Sequence, residues 1–403
     1  MKSEIPKVLH PICGRPMLEY VFDLVEDLKI KDVIVVLGHK YHKIKGLVRP
    51  KIKIAIQKRL LGTADAVKRA IPLLKNFKDT ILVLYADNPL LTSKTIRRLL
   101  DYHQRNGLDA TLLTANLDNP EGYGRILRDE YGGISGIVED KDADEFQKSI
   151  KEINTGIICF KKERLNWALR QVRPDNRKRE YYLTDTIGII YRKGGLIDSV
   201  RLSNTEEALG VNSPVELAKA NKIIQQRINE EFMKNGVVML APELTFISHG
   251  VKIGRETTIY PFTVIERDVK IGKHCVLGPF IRIRKGSHLA DGVVVGNFLE
   301  ISRSQFASGV KAKHFGFIGD CRIGRDVNIG AGVVTANYDG RHKNLTVIKD
   351  KAFIGSDTIL VAPVKIGKGA MTGAGAVVVR NKNVPDGQIV VGIPAKPLKK
   401  RVG

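Results

Sequence analysis

The chain has 403 residues, of which 43% are hydrophobic, with 66 lysines and arginines against 43 acidic residues. This length and composition predict a globular protein of two or more domains and exclude a disordered or collagen-like chain. No apolar run is long enough to cross a bilayer, so no membrane span is expected.

The net charge of +23 raises the question of whether the protein binds nucleic acid or other anionic partners. Lysines and arginines are spread along the whole chain, and only the segment 396–401 is locally dense, so no nucleic acid partner is expected. A positive field instead suits phosphorylated small substrates. The four cysteines, at 13, 159, 275 and 321, show neither zinc nor disulfide spacing, which favours a reducing, cytoplasmic location.

The first half alternates short apolar runs with helical patterns. Apolar runs bounded by turn residues predict strands at 33–37, 81–85, 110–115 and 156–160, and the segments between them predict helices at 15–28, 63–74, 93–105 and 163–171. This alternation is typical of an α/β (Rossmann-like) domain with a mainly parallel sheet. A further helical stretch over 213–235 is interpreted as a connecting arm.

Polar and glycine-containing motifs lie at the ends of these elements. In chain order they are Pro6-Lys7-Val8-Leu9, Gln57 with Leu61-Gly62-Thr63-Ala64, Tyr85-Ala86-Asp87, Gly122-Tyr123-Gly124-Arg125, Val138-Glu139, Glu152-Ile153-Asn154-Thr155-Gly156 and Gly210-Val211-Asn212. The turn at Gly62 opens a helix, where backbone N–H groups can meet an anion, and Asp87 follows a buried strand, where α/β sheets place ligands. Each motif alone is more often a plain turn or cap, but the ordered set indicates a function.

The second half repeats an aliphatic residue every six positions, a period that neither an α-helix nor an ordinary strand has. The residues at this position are Ile253, Ile259, Ile265, Ile271, Leu277, Ile283, Leu289, Val295 and Ile301, then Phe317, Ile323 and Ile329, and in a new register Ile354, Leu360 and Ile366. Inward aliphatic residues at this spacing, often followed by glycine, predict a parallel β-helix with about three hexapeptides per coil.

The repeat is interrupted at 302–316 and at 335–353, and such interruptions are where function is usually found. The first contains His314, and the second contains Asn337-Tyr338-Asp339-Gly340. A lone histidine at such a corner is more often an exposed surface imidazole. Glu300 on a neighbouring coil strengthens His314 as a candidate general base, because a neutral imidazole can take a proton from an attacking amine.

Taken in order, the motifs of both halves resemble the bacterial family that is both an N-acetylglucosamine-1-phosphate uridylyltransferase and a glucosamine-1-phosphate N-acetyltransferase. The resemblance covers nearly the whole chain. It implies a nucleotidyltransferase domain over 1–212, a helical linker over 213–237 and a left-handed β-helix acetyltransferase domain over 238–403, assembled as a homotrimer. It also implies that UTP, sugar-1-phosphates and acetyl-CoA are converted, with Mg²⁺, to UDP-N-acetylglucosamine for the cell wall.

The resemblance implies roles for individual residues. In the first domain, Lys7 would hold phosphate, and Asp87 and Asn212 would hold Mg²⁺. The uracil and ribose end would be held by Gln57, Gly62 and Thr63, with Tyr85 beside the substrate. The N-acetylglucosamine group would be held by Gly124, Glu139 and Asn154. In the second domain, His314 would be the general base, oriented or polarised by Glu300. The acceptor site would be formed by Arg284, Asn328, Asn337, Tyr338 and Lys343. The coenzyme A path would be formed by Ala331, Ser356 and Ala374.

The sequence departs from the family pattern at three places. The family begins with a strand and a Gly-rich phosphate loop, and this sequence opens at the methionine that ends that loop. Either the start lies upstream or the loop is lost. Uridylyl transfer by the chain as given is therefore expected to be weak or absent. Ser302 stands where the family has a lysine and Phe317 where it has a tyrosine, with Arg303 next door, which leaves another amino-sugar acceptor open. The segment 391–396 replaces a coenzyme-binding arginine, so Lys396 or Lys399 would meet the coenzyme phosphates.

Two other classes fit part of the pattern. One is an acetyltransferase or nucleotidylyltransferase for another amino-sugar phosphate. The other is a non-catalytic scaffold, since translation-initiation exchange-factor subunits also join a nucleotidyltransferase-like domain to hexapeptide repeats. A scaffold has no need of Asp87 with Asn212, nor of Glu300, His314 and Asn337, so the joint presence of these residues favours an enzyme.

Overall fold

The computed structural model describes residues 1, 3–74, 77 and 79–398. They divide into two compact units, one comprising Met1–Ile12 and Pro16–Ala220, the other Cys13–Arg15 and the residues from Asn221 onward. Among the described residues, no helix is both long and apolar enough to cross a membrane.

The helices follow the sequence pattern closely. Those of the described residues are α1 Met17–Asp27, α2 Tyr41–Lys45, α3 Thr63–Ala70, α4 Ser93–Arg105, α5 Glu145–Ser149, α6 Lys162–Leu169, α7 Asp185–Arg192 and α8 Pro214–Lys234, with 3₁₀ turns at Lys7–Leu9, Ile71–Leu74, Thr205–Ala208 and Pro242–Leu244. Helix α4 has the predicted bounds because the side chain of Thr92 caps it by accepting a hydrogen bond from the backbone N–H of Thr95.

The first unit is an α/β domain, as predicted. The strands that precede α8 in the chain are β1 Pro11–Ile12, β2 Arg15–Pro16, β3 Ile34–Leu37, β4 Lys53–Ile56, β5 Thr80–Val83, β6 Ala110–Asn116, β7 Gly124–Arg128, β8 Ile134–Val138, β9 Glu152–Lys161 and β10 Ile197–Arg201. Successive residues of β6 enter opposite cores: Leu112 packs in the cluster of α6 and α7, and Leu113 in the cluster of α4. Helices therefore cover both faces of the sheet.

The expectation of a mainly parallel sheet is wrong for the strand pairings. The six-stranded sheet has the order β10-β6-β9-β7-β8, with β5 also paired to β9, and of these pairings only β10 with β6 is parallel. Strand β9 runs antiparallel to β5, β6 and β7 and lies between them. An apolar run reads the same in either direction, so the sequence pattern does not report strand direction.

The second unit is the predicted left-handed parallel β-helix. Its strands are β11 Val238–Met239, β12 Thr245–Ile247, β13 Lys252–Ile253, β14 Thr258–Ile259, β15 Thr263–Ile265, β16 Lys270–Ile271, β17 Val276–Leu277, β18 Arg282–Ile283, β19 His288–Leu289, β20 Val294–Val295, β21 Leu299–Ser302, β22 Gln305–Phe306, β23 Lys311–Ala312, β24 Gly316–Gly319, β25 Cys321–Ile323, β26 Asn328–Ile329, β27 Val333–Ala336, β28 Thr346–Ile348, β29 Phe353–Ile354, β30 Ile359–Val361, β31 Val364–Ile366, β32 Met371–Thr372, β33 Val377–Val378, β34 Ile389–Val391 and β35 Lys396–Pro397. We call the three stacked sheets face 1 (β11, β14 and every third strand to β32, then β34), face 2 (β12 to β33) and face 3 (β13 to β31).

The six-residue repeat fills the core of this prism. Ile259 pairs with Leu277 on the next coil, which is three hexapeptides later, and both side chains are buried. Burial of such a side chain stabilises the fold by roughly 1.5–3 kcal/mol. The side chain becomes buried only when its coil stacks on the neighbouring coils.

The two interruptions are coils of different length. Ile301 pairs with Ile318, one residue short of three hexapeptides, whereas Asn328 pairs with Phe353 across a longer coil that holds the loop around Tyr338. The short coil moves the repeat by one position. Phe317, expected to point inward, therefore lies beside Glu300 on the outer surface of face 2, and Ile318 is buried in its place.

The second half of α8 closes the first coil of the β-helix. The buried side chain of Gln225 exchanges hydrogen bonds with the backbone of Ile247, at 3.1 and 3.2 Å. The buried amide of Asn229 donates to the carbonyls of Pro242 and Thr245, at 2.7 and 2.9 Å. These amides satisfy backbone groups that an open coil end would leave unpaired.

Candidate functional site

Lys7, Asp87 and Asn212 meet at one point of the first unit. The ammonium of Lys7 donates to a carboxylate oxygen of Asp87 and, at 2.8 Å, to the side-chain oxygen of Asn212. Asp87 lies beyond the end of β5, and Asn212 just before α8, so the fold brings together residues from distant parts of the chain.

The oxygens of Asp87 and Asn212 fit a magnesium ion, because both already converge on one cation, the Lys7 ammonium. The described residues contain no group of three or more His, Cys, Asp or Glu side chains that could hold a metal by themselves. Mg²⁺ commonly takes only one or two protein oxygens and completes its shell with water and substrate phosphates. The donor set therefore suits Mg²⁺ bound together with a nucleotide.

Gly62 fixes the turn that opens α3. Its φ is +111°, and a Cβ there would lie 2.4 Å from the backbone oxygen of Tyr181, so only glycine fits. Gln57 donates to the carbonyl of Gly62 and to Asp65, each at 3.0 Å, and the hydroxyl of Thr63 accepts from the backbone N–H of Leu183 at 2.9 Å. The three residues predicted for the uracil and ribose end thus lie together, and their assignment stays a prediction.

Thr63 and Tyr85 border a cavity of about 630 Å³ within the first unit. Its other walls are mainly apolar side chains of α1, β3, α3 and β5. Burial raises the pKa of Tyr85, so its phenol stays neutral. Gly156 leaves room for the Tyr85 ring, since a Cβ at Gly156 would lie 2.7 Å from a ring carbon.

The residues predicted for the N-acetylglucosamine group are neighbours. Gly124 on β7 pairs with Asn154 on β9, and a Cβ at Gly124 would lie 3.6 Å from the carboxylate of Glu139. Glu139 accepts a hydrogen bond at 2.9 Å from Thr184, a residue that the sequence pattern did not single out. Burial raises the pKa of Glu139, although the Thr184 hydrogen bond opposes that shift.

Replacing Asp185 with asparagine is expected to stabilise the protein at pH 7.5. Burial, then the nearby charges of Glu139 and Asp142, raise the pKa of Asp185 from its ordinary 3.8 to about 6. The native state therefore binds more protons than the unfolded state between these values, so stability is lost as pH rises through this window. We expect a gain of about 1–2 kcal/mol at pH 7.5, after allowing for the lost charge at the N-terminus of α7.

The measurement for Asp185→Asn is urea unfolding at pH 7.5 and at pH 4. The stability difference between variant and parent should shrink toward zero at pH 4, where the parent carboxyl is mostly protonated. An equal difference at both pH values would show that the ionisation of Asp185 is not the cause.

A groove of about 500 Å³ runs along the second unit. It is lined by residues predicted for the base, the acceptor and the coenzyme, namely His314, Asn328, Ala331, Ser356 and Ala374. Its floor is a column of glycines with no room for side chains: a Cβ at Gly330 or Gly355 would lie 2.6 or 2.5 Å from backbone of the next coil. Such a groove exposes backbone and suits a long, narrow ligand.

Successive coils present the predicted coenzyme residues one above another. The carbonyl of Ala331 accepts from the N–H of Asp357 at 2.6 Å, and that of Ser356 accepts from the N–H of Gly375 at 2.8 Å. Because each coil repeats the same turn, residues far apart in sequence line one wall. Lys396 lies exposed in β35, and Lys399 lies outside the described residues.

Apart from Asn328, which lines the groove, the residues predicted for the acceptor lie at face 2 and in the long coil. Arg284 donates to Glu300 at 2.9 Å, and within the described part of the chain Glu300 makes no hydrogen bond to His314. Tyr338 and Lys343 form a bridge within the loop of the long coil. The pairing of Glu300 with His314 stays a prediction.

Asn337 is held by Asp320, which the sequence pattern did not single out. Asp320 is in turn held by Arg303, so three consecutive coils contribute to one cluster. The spacing of 17 positions between these residues is the only sequence signal, and it becomes visible once the short coil is known.

Models of two known protein families match this chain, one in each half of the sequence. The Nucleotidyl transferase model matches residues 2–200, and the Bacterial transferase hexapeptide model matches residues 250–284.

Curated relatives match over nearly the full length. The chain is 42% identical to "Bifunctional protein GlmU" of Geobacillus sp. (strain WCH70), over 97% of this chain and 92% of that protein. It is 41% identical to the protein of the same name from Shouchella clausii (strain KSM-K16), over 94% and 90%. It is 40% identical to that of Bacillus subtilis (strain 168), over 94% and 90%. The resemblance read from the motifs is thereby confirmed, and the chain belongs to the GlmU family of bifunctional enzymes, with a nucleotidyltransferase domain and a hexapeptide transferase domain.

Proposed function

We propose that this chain makes UDP-N-acetylglucosamine in two steps. Glucosamine-1-phosphate is acetylated by acetyl-CoA, and the product then receives a uridylyl group from UTP. The observation that carries the proposal is the single groove that holds His314, Asn328, Ala331, Ser356 and Ala374 together.

In the first step, His314 is the general base. Its exposed imidazole borders the groove, where it takes a proton from the amino group of the acceptor. The amine nitrogen attacks the thioester carbonyl carbon, a C–N bond forms, the C–S bond breaks, and coenzyme A leaves as its thiol after taking up a proton. Ala331, Ser356 and Ala374 hold the coenzyme along the wall, so that the thioester meets the amine in a fixed orientation.

In the second step, the phosphate oxygen of N-acetylglucosamine-1-phosphate attacks the α-phosphorus of UTP, and pyrophosphate leaves. Mg²⁺ at Asp87 and Asn212 would neutralise phosphate charge. Lys7 then donates to phosphate instead of to these two side chains, which hold its ammonium in this structure. Gly124, Glu139 and Asn154 hold the sugar, and Gln57, Gly62, Thr63 and Tyr85 hold the nucleotide.

The proposal includes a cytoplasmic homotrimer, and the outer surfaces of the β-helix support the trimer. Outward residues of faces 1 and 2 are mainly apolar, whereas those of face 3 are mainly basic. Those of face 1 that do not line the groove include Val238, Val276 and Val294; those of face 2 include Phe246, Val264, Phe317, Val334 and Ile359; those of face 3 include Lys252, Lys270, His288, Arg322 and Lys365. Other copies would cover faces 1 and 2, because like charges on face 3 repel.

An aromatic ladder marks the corner between faces 1 and 2. The rings of Phe262, Phe280 and Phe298 stack with centroids 4.7 and 4.9 Å apart. They are 45%, 44% and 66% exposed in the single chain. Three large exposed rings in a row fit burial against a second copy.

Product formation tests the proposal directly. The purified protein is given acetyl-CoA, glucosamine-1-phosphate, UTP and Mg²⁺, and thiol release, pyrophosphate release and UDP-N-acetylglucosamine are measured. We expect acetylation with glucosamine-1-phosphate as the acceptor. Glucosamine-6-phosphate is the matched alternative acceptor and should not be acetylated. Acetylation of another amino-sugar phosphate but not of glucosamine-1-phosphate would overturn the first step.

Replacing Asp87 with alanine is expected to lower the rate of pyrophosphate release by at least about 10²-fold relative to the parent chain, because it removes a charged ligand of the phosphate-bound cation. Thiol release should be unchanged. The control is Asp101→Ala, which removes an exposed carboxylate on α4. Pyrophosphate release that kept its rate and Mg²⁺ dependence in Asp87→Ala would contradict the metal assignment.

A further inference from the structure

Arg303, Asp320 and Asn337 lie on three consecutive coils of the β-helix, at the end of face 2. Ser302 pairs with Gly319, so the next residues, Arg303 and Asp320, stand one above the other, and the backbone N–H of Asp320 donates to Ser302 at 2.9 Å. Both Arg303 and Asp320 are left-handed, with φ of +48° and +49°. The backbone turns here, and the three side chains meet.

Asp320 is the hub of this cluster. Arg303 donates to both of its carboxylate oxygens, each at 2.7 Å, and also to the hydroxyl of Ser302 at 2.8 Å. The side-chain N–H of Asn337 donates to one of the same carboxylate oxygens. The side chains of Arg303 and Asp320 are only 33% and 17% exposed, so the two-point ion pair is partly shielded from water.

The carboxyl of Asp320 stays ionised. Burial alone would raise its pKa, but hydrogen bonds from Arg303 and Asn337 outweigh burial, and the pKa of Asp320 is lowered. An ionised carboxylate can only accept hydrogen bonds. The group that Asn337 turns toward Asp320 must therefore be its NH₂.

This contact selects one of the two amide orientations of Asn337. The oxygen and nitrogen of an asparagine amide have nearly the same shape, so packing alone hardly distinguishes them. With the NH₂ turned toward Asp320, the carbonyl oxygen points away from it. Asn337 is only 7% exposed, so the amide has little freedom to turn.

Gly319 makes the close approach possible. A Cβ there would lie 2.7 Å from the Asn337 side-chain nitrogen and 2.6 Å from a ring carbon of Phe317. The ring of Phe317 and the amide of Asn337 therefore border the same glycine. Phe317 itself stands where the family has a tyrosine, so this cluster reaches the altered part of the acceptor site.

We propose that Asp320, fixed by Arg303, is a positioning residue for acetyl transfer: it orients the Asn337 amide so that its carbonyl oxygen accepts a hydrogen bond from the amino group of the acceptor. This inference rests on the proposed function, with Asn337 taken as an acceptor residue, as the family resemblance implies. A fixed carbonyl oxygen aims the amine lone pair at the thioester, and loss of such alignment can cost about 10²-fold in rate.

The test compares Asp320→Asn in two backgrounds. Asparagine has the size of aspartate but can also donate, so it no longer selects the Asn337 orientation. We expect the kcat for acetyl transfer to fall about 10–10²-fold in the parent background. In an Asn337→Ala background, the same change should alter kcat less than about twofold, because the residue through which Asp320 acts is gone.

Two further variants separate positioning from folding. Arg303→Lys keeps the charge but cannot hold both carboxylate oxygens, so we expect a loss of several-fold in the parent background and none with Asn337→Ala. Asp326→Asn is the matched control, because Asp326 is an exposed left-handed aspartate at another corner of the β-helix, with φ of +54°. Its kcat should equal that of the parent, and thermal unfolding should confirm that every variant is folded.

Each outcome bears on a different claim. If Asn337→Ala keeps normal turnover, the acceptor assignment in the proposed function fails. If Asn337→Ala is impaired but folded Asp320→Asn and Arg303→Lys turn over normally, the positioning inference is overturned. Equal fold-losses from Asp320→Asn in both backgrounds would also overturn it, because they indicate a purely structural role.

Discussion

Replacing His314 with alanine is expected to lower kcat for acetyl transfer by about 10²–10⁴-fold, the usual contribution of a general base. The fold should be unaffected, because His314 is exposed at the edge of the groove and is not part of the β-helix core. The measurement is thiol release from acetyl-CoA with saturating glucosamine-1-phosphate, together with thermal unfolding of both proteins.

His288→Ala is the matched control for His314→Ala. His288 is an exposed histidine of the same β-helix, but it lies on face 3, away from the groove. Its variant should acetylate at the parent rate. If His314→Ala also kept a near-normal rate, the base would have to be another group or solvent, and the role assigned to His314 would fall.

Replacing Phe280 with aspartate is expected to separate the proposed trimer into monomers. Phe280 is the middle ring of the exposed ladder, so a charge there would be buried at the proposed contact between copies without a partner. The monomer itself should stay folded. Phe280 has a φ of +53°, a conformation that aspartate tolerates better than phenylalanine does.

Sedimentation equilibrium at micromolar concentration measures the assembly state of this variant. The control is Lys270→Glu, which changes the charge of an exposed residue on face 3 and should leave the assembly state of the parent unchanged. A parent protein that sediments as a monomer, or a Phe280→Asp variant that remains a trimer, would refute the proposed interface.

The sequence by itself determined the two architectures. Apolar runs and helical patterns located α4 and the core strands of the first unit, and the six-residue repeat located the β-helix. Both signals are local periodicities, which record the side of an element that is buried, and burial is what the side chains of these elements determine.

Only the tertiary structure decided how these elements are related. Strand β9 runs against its neighbours, and an apolar run carries no information on direction. The short coil turned Phe317 outward and Ile318 inward, because register depends on coil length rather than on hydrophobicity. The contact of Asp320 with Asn337 depends on the same register, since stacking brings distant residues together at a spacing that no local pattern records.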